Sequence, residues 1–494
     1  MLNINDSDKF KDNIGKGLFI LSLFVLGLLI FLIIQKPFMH IDEWFTQGIL
    51  NISFKEMIHL TAKDVHPPLY YAIALVPVYL LKWLHIPFSM MTLMKLMSVV
   101  PYVIIFAISL TKIRNDHGWL VGGLFAFTLL TMADFFTMFS IARMYPWGLL
   151  FLVLGFLSAC EILKEPSLKH WILLAFFSVC GAYTHYFVAV SSIILYILLF
   201  AHVLLKDKSQ IKNWLISTVF GILCFVPWIF FLFKQINSVS GSYWIDEITF
   251  ETFVQFFASI FMDTSEFYVN LALAIVFLAI FIAILVYYKK SKEDGDILLI
   301  GSLMFIGTIL VGVGISFAFR PIFIVRYIIP ATGVLWLCIS IFISKFDLKR
   351  VIIPVVIILL LFSVANLADQ INEISDNHEK LVKNQEFLQS INSKDSVVII
   401  DGMVKYVHFH DQLNDSIVYG GYSIGEREKA KDFTKFFDDK DTRFLMPDDF
   451  NKYKNKTVYL AYRQGSDIKL PKDVSKDKIG KVENTKFYKL TYKG

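Results

Sequence analysis

The sequence predicts a polytopic α-helical membrane protein ending in a small soluble α/β domain, and three observations predict it. Of 494 residues, 56% are hydrophobic and only 18% charged, with 48 Phe, more apolar surface than a soluble chain of this size could bury. Runs approaching the roughly 20 apolar residues of a spanning helix recur along the chain. After Asn366 the composition turns polar and charged.

Taken in order, the candidate spans are 17–34, 69–84, 91–111, 118–136, 146–163, 168–183, 187–205, 213–234, 267–288, 297–318, 324–344 and 350–367. The first follows a polar stretch and precedes no small-residue cleavage site, so it reads as a retained anchor. Lys9, Lys11 and Lys16 place the N-terminus in the cytoplasm. The later basic clusters, Lys112/Arg114, Lys164/Lys169, Lys206/Lys208/Lys212, Lys289/Lys290/Lys292 and Lys345/Lys349/Arg350, alternate correctly if each lies inside. One conflict is local: an outer loop 36–67 and an inner Lys112/Arg114 require an odd number of crossings between them. One of 69–84 and 91–111 is therefore expected not to traverse, and 69–84 is the shorter and is interrupted by Pro77. That leaves about eleven crossings, or thirteen with one further break, and puts the C-terminus outside in either case.

The tail, 368–494, is expected to form an extracytoplasmic domain, leaving 1–367 as the membrane domain. β-rich runs at Val397–Ile400, Ile417–Tyr419, Val458–Tyr462 and Phe487–Tyr492 alternate with helical stretches such as Asn377–Ile391 and Glu426–Phe437. His408 and His410 would share a strand face, but two His without a third ligand make a weak metal site. The four cysteines, Cys160, Cys180, Cys224 and Cys338, lie inside apolar runs without metal-ligand spacing and read as small core residues. The net charge of +5 is spread over loop ends and the tail, which gives no nucleic-acid patch.

The most informative stretch is 39–71, MHIDEWFTQGILNISFKEMIHLTAKDVHPPLYY. It places the acids Asp42 and Glu43 just past the anchor, then an amphipathic segment, then Asp64, His66 and the stiff pair Pro67-Pro68. Between Trp119 and Cys160 the only formal charges are Asp134 and Arg143, expected at the turn between two helices on the outer side. Charges at membrane depth face a cavity or a partner, so Arg143 wants an anion. Sugar transfer outside the membrane has no nucleotide sugar to draw on and uses a lipid-carried donor. Such a reaction needs a carboxylate base, cationic or hydrogen-bonding groups for the leaving phosphate and an apolar groove. Asp42 is the candidate base; His66, Arg143, His185 and Arg326 are candidate phosphate or sugar ligands.

The set IDEWFT, DVHPPLYY, SIARMYPWGLL, THYFVAV and IVRYIIP resembles the GT-C superfamily of membrane glycosyltransferases, and within it bacterial enzymes related to protein O-mannosyltransferases and the aminoarabinose transferase of lipid A. The resemblance covers residues 1 to about 367. It implies that Asp42 is the catalytic base with Glu43 as its acidic neighbour, that His66 stands where a basic residue precedes the proline pair, and that Arg143 and Tyr145 form the Arg-x-Tyr element. Lys95 stands where the family has a helix-start arginine, and an ammonium lacks the bidentate fork. Tyr186 beside His185 and Tyr327 beside Arg326 complete the candidate ligands. The implied partners are a polyprenyl-phosphate-linked sugar, the bilayer of the cytoplasmic membrane and a cell-envelope acceptor: a wall polymer, glycolipid or protein. A divalent ion, Mg or Mn, at Asp42 and Glu43 stays open. A transporter or flippase of lipid-linked or polar solutes would carry similar helices and buried charges, but the chain shows no duplicated halves. In a non-catalytic assembly or polymer-anchoring protein the acid pair would be incidental.

Overall fold

Each of the twelve apolar runs forms a helix. The computed structural model describes residues 4–132, 135–239, 245–262, 264–290, 294–401, 409, 412–421, 443–444, 453, 455–463, 470, 472–483 and 485–492. Asp134, His408, His410 and the expected helix Glu426–Phe437 lie outside the described residues. The helices are α1 (Ile4–Gln35), α2 (Ile41–Leu50), α3 (Phe54–Thr61), α4 (Leu69–Trp83), α5 (Met90–Ile108), α6 (Arg114–His117), α7 (Trp119–Thr131), α8 (Phe135–Ser140), α9 (Tyr145–Lys164), α10 (Leu168–Ala182), α11 (Tyr186–Lys206), α12 (Ile211–Val239), α13 (Phe250–Ala258), α14 (Phe267–Lys290), α15 (Gly295–Ala318), α16 (Ile329–Ser344) and α17 (Ile353–Ile391).

Among the described residues, eight helices are long and apolar enough to cross a membrane, and α4, α7, α10 and α16 are shorter apolar helices. The chain is a multi-pass membrane protein. α4 runs unbroken through Pro77, contrary to the expected interruption. Its 15 residues span only about 22 Å at the helical rise. The expected loop 36–67 is itself largely helical, being α2 and α3.

Packing divides the chain into two compact units. One comprises Met1–Gln35, Thr61–Ile73 and Lys95–Asn372; the other comprises Lys36–Leu60, Ala74–Met94 and Glu373–Gly494. In the first, α7, α9 and α16 form the interior, and α16 is buried along nearly its whole length. α1 packs on α7 through bare backbone. A Cβ on Gly123 would lie 2.0 Å from the Gly15 carbonyl oxygen, and one on Gly15 would lie 2.2 Å from that of Trp119. Small residues at such crossings allow the close backbone approach that holds membrane helices together. Asn366 of α17 donates through Nδ2 to the carbonyls of Thr131 (2.8 Å) and Phe261 (3.0 Å), satisfying acceptors left open at helix ends. The four cysteines are free thiols; Cys160 and Cys338 are buried and the other two are half-buried.

In the second unit the described residues of the tail form a six-stranded sheet: β1 (Ser396–Asp401), β2 (Ile417–Gly421), β3 (Arg443–Phe444), β4 (Thr457–Arg463), β5 (Val474–Val482) and β6 (Thr485–Tyr492), in the order β3-β2-β1-β4-β6-β5. The four strands from β3 to β4 are parallel; the β5–β6 hairpin is antiparallel. All four expected strands are present. β3 and β5 are additions, and α17 continues past the expected boundary at 367 into the tail.

Candidate active site

The first unit gathers a cation-rich, aromatic cluster from four places in the sequence. Pro67 and Pro68 end the preceding loop where α4 begins, a position that needs no amide hydrogen from Pro. The Leu69 amide donates to the Tyr183 carbonyl (3.0 Å), fixing this entry against the turn before α11. His66 is thereby held with Nδ1 3.0 Å from Asp64 Oδ2 and Nε2 3.4 Å from Arg143 Nη2. Arg143 also directs Nη1 to the Tyr71 hydroxyl at 3.4 Å. Because a guanidinium only donates, the His66–Arg143 contact requires a lone pair on His66 Nε2. The ring hydrogen is then on Nδ1, donated to Asp64.

Arg143 is 5% exposed, and its turn between α8 and α9 is closed by the Arg143 amide donating to the Ile141 carbonyl at 2.8 Å. The same turn is tied to α5. Lys95 Nζ donates to the Ser140 carbonyl (2.7 Å), Ser98 Oγ to that of Ile141 (2.8 Å) and Tyr102 Oη to that of Phe135 (2.7 Å). Lys95, 1% exposed, thus braces the segment that carries Arg143. Burial works against ionisation of Asp64, but the hydrogen bond from His66 and the positive charge of Arg143 outweigh it and hold the carboxyl below its ordinary value.

His185 is the N-cap of α11, its Nδ1 accepting from the Phe187 amide at 3.3 Å. Its ring lies 5.3 Å from Tyr145, 4.9 Å from Tyr327 and 6.2 Å from His66, centroid to centroid. Burial, reinforced by the charges of Arg143 and Arg326, drives His185 well below the ordinary imidazole value, so it is neutral. Arg326, in the tight turn Val325–Tyr327, lies over its own neighbour Tyr327 at 5.9 Å. Tyr186 belongs to a different network: its hydroxyl bonds Gln235 and accepts from Trp228 Nε1 (2.9 Å), and Gln235 donates to the Thr61 carbonyl (2.8 Å).

The acid pair lies in the second unit, in the first turn of α2. His40 is the N-cap, its Nδ1 accepting from the Asp42 amide (3.3 Å) while Glu43 Oε2 accepts from the His40 amide (2.7 Å), a reciprocal capping box. Glu43 is fully buried, whereas the Asp42 side chain keeps 31% of its exposure, with Oδ2 3.9 Å from His40 Nδ1. Asp64 and Tyr71 were absent from the expected ligands. Only the Asp-x-His spacing ahead of Pro67 hinted at the first, and nothing local marked the second. Among the described residues, no group of three or more His, Cys, Asp or Glu side chains is placed to hold a metal ion.

The backbone architecture matches a known structure over nearly its full length. The crystal structure of ArnT from Cupriavidus metallidurans bound to undecaprenyl phosphate has a TM-score of 0.57 and 11% identity, with 96% of this chain and 97% of that one covered. The chain has the GT-C fold. The apo ArnT structure from the same organism gives 0.58 and 11%, covering 96% and 98%. The Archaeoglobus fulgidus oligosaccharyltransferase complex with Zn and sulfate gives a TM-score of 0.42 and 10% identity, covering 88% of this chain and 67% of that one. No protein-family model and no curated protein sequence matches the chain.

Proposed function

We propose that this protein is a glycosyltransferase that moves a sugar from a polyprenyl-phosphate donor to a hydroxyl acceptor at the outer face of the cytoplasmic membrane. The observation that carries the reading is Arg143, a buried guanidinium in an apolar bundle with two of its nitrogens aimed at His66 and Tyr71. Such a group, oriented before substrate arrives, suits an anion carried on a lipid. The GT-C fold supports it, since ArnT was crystallised with a polyprenyl phosphate.

In this reading the Asp42 carboxylate takes the proton of the acceptor hydroxyl as its oxygen bonds to the anomeric carbon. The bond from that carbon to the phosphate oxygen breaks in the same step, its electron pair leaves with polyprenyl phosphate, and the anomeric configuration inverts. Arg143, with Arg326, offsets the charge that collects on the departing phosphate. His66 is set by Asp64 to aim at Arg143, and Tyr145, His185 and Tyr327 line the sugar side. Glu43 fixes the start of the helix bearing Asp42, and Lys95 braces the Arg143 turn. Purified Asp42→Asn protein supplied with a polyprenyl-phosphate sugar is expected to lose about 10³-fold in turnover; near-normal turnover removes Asp42 from the reaction. Turnover before and after chelation decides whether Mg or Mn joins Asp42 and Glu43.

A further inference from the structure

The β4–β6–β5 side of the tail sheet buries apolar residues on both faces and differs between them in how its charges are placed. On one, Phe487 is fully buried against Phe387 of α17 (5.2 Å between centroids) and Phe409 (5.4 Å). Gly480 lies beneath the same ring, where a Cβ would come within 2.2 Å of Phe387. Charge on this face is balanced, Asp477 standing directly across from Lys489.

On the opposite face the inner strands hold a core of Val458, Leu460 and Leu490, with Tyr462 and Val474 packed against it, and the lysines lie at the margin of that core. Lys478 stands across from Tyr488, Lys476 across from Leu490, and Lys481 across from Lys486, which on its other side faces Tyr462. A bulge between Lys478 and Gly480 sets this pattern. Simple alternation would send Lys481 to the Phe487 side, and one extra residue returns it to the face that holds Lys476 and Lys478. Like charges directly across a ladder are destabilising, yet Lys481 and Lys486 are so placed. Among the described residues none of these four lysines forms an ion pair with Asp or Glu. Lys476, Lys478 and Lys481 are exposed. Tyr462 and Tyr488 stack at 5.0 Å with 19° between planes, and Lys476 Nζ lies 4.7 and 5.1 Å from their centroids. The hydrogen bond from Lys476, with the charges of Lys476 and Lys486, draws the Tyr462 phenol below its ordinary value despite some burial.

We propose that this face binds a linear polyanion, a glycan or polyol chain carrying a phosphate or carboxylate in each repeat. Along β5, alternate residues are about 6.8 Å apart, which spaces the backbone positions of Lys476 and Lys478 for charges carried at regular intervals. The stacked tyrosines hold the Lys476 ammonium in place, through their rings and its hydrogen bond to the Tyr462 hydroxyl. Repulsion among the lysines is relieved when the polymer lies across them. The surface stands on the sheet alone and does not depend on the sugar-transfer reading.

The test uses the full chain in phosphatidylcholine nanodiscs and a fluorescent poly(glycerol phosphate) oligomer. Binding is expected to weaken between about 50 and about 200 mM salt. The triple variant Lys478→Glu, Lys481→Glu, Lys486→Glu is expected to lower affinity at least about tenfold, Tyr488→Ala to lower it less, and Lys489→Gln on the opposite face to leave it unchanged. Unaltered melting of the triple variant excludes a folding defect; should it melt early, the Tyr488→Ala and Lys489→Gln pair decides. Equal affinity of the triple variant and the unaltered chain overturns the proposal, as does equal binding of neutral dextran. Binding of phosphatidylglycerol vesicles that depends on these lysines, while the polymer does not bind, overturns it in favour of a lipid surface.

Discussion

His40–Asp42 and Asp64–His66 are each a histidine and an aspartate two residues apart, yet they are put to opposite uses. At the start of α2 the imidazole faces the backbone: Nδ1 accepts from the Asp42 amide, and the carboxylate stands 3.9 Å away with 31% of its side chain exposed. Ahead of α4 the imidazole faces its acid at 3.0 Å, and the two side chains are only 13% and 23% exposed. The two rings are therefore opposite tautomers, with the lone pair on Nδ1 in His40 and on Nε2 in His66. The lesson is that the backbone decides which partner a histidine serves. A helix start offers His40 an amide, whereas the rigid approach to Pro67 turns His66 toward Asp64 and Arg143.

The strongest way to break this comparison is at the far end of the second pair. Arg143→Ala is expected to reduce turnover about 10²- to 10³-fold, and Arg143→Lys to restore only part of it, because an ammonium lacks the fork that reaches Tyr71 and His66 together. Full rescue by lysine, measured with a polyprenyl-phosphate sugar, would mean that charge alone matters there. Asp64 separates tautomer from charge. Asp64→Asn keeps an acceptor for His66 Nδ1, and Asp64→Ala keeps neither acceptor nor charge. Losses of about tenfold for Asn and more for Ala are expected, and equal losses would assign the role to charge.

Acidity tests the same region through stability. His185 is held neutral in the folded chain, so below about pH 6.5 the unfolded chain binds a proton that the folded one refuses, and stability falls as pH falls. Asp64 works in a lower window. Its depressed folded value stabilises the protein above the ordinary 3.8, and that contribution is lost as pH drops through the folded value. Melting temperatures in detergent that stay flat from neutrality down to about pH 5 would contradict a buried neutral His185. The smallest effect belongs to the first pair: His40→Ala or Glu43→Gln is expected to cost about 1 kcal/mol of stability through the cap, with turnover near that of the unaltered chain. A large catalytic loss in Glu43→Gln would give that acid a chemical part.

The spans were legible because a membrane helix announces itself by length and apolar content alone, and the four expected strands because β-branched and aromatic residues cluster in short runs. The sequence marks only an amphipathic segment in the outer loop after the acid pair, and the start of α2 is hard to see there because its N-cap is a histidine. β5 was missed because VSKDKIGKV carries four lysines or aspartates in nine residues and takes its place through pairing with β6. Among the candidate ligands, His66, Arg143, Tyr145, His185 and Tyr327 are linked by side-chain contacts in one unit. Tyr186 bonds Gln235 and Trp228, and Lys95 bonds a carbonyl. Sequence gives the type and order of such residues, whereas the direction of a side chain depends on packing from distant segments.

The meeting of Gly15 with Gly123 has a consequence that hydropathy would misjudge. Water gives no reward for joining two greasy rods already dissolved in lipid, so their adhesion comes from how near the peptide planes can approach. Enriching either position with alanine, valine or leucine would raise the apolar score of the segment while prising the anchor from its neighbour. A more oily α1 would be a more loosely moored one.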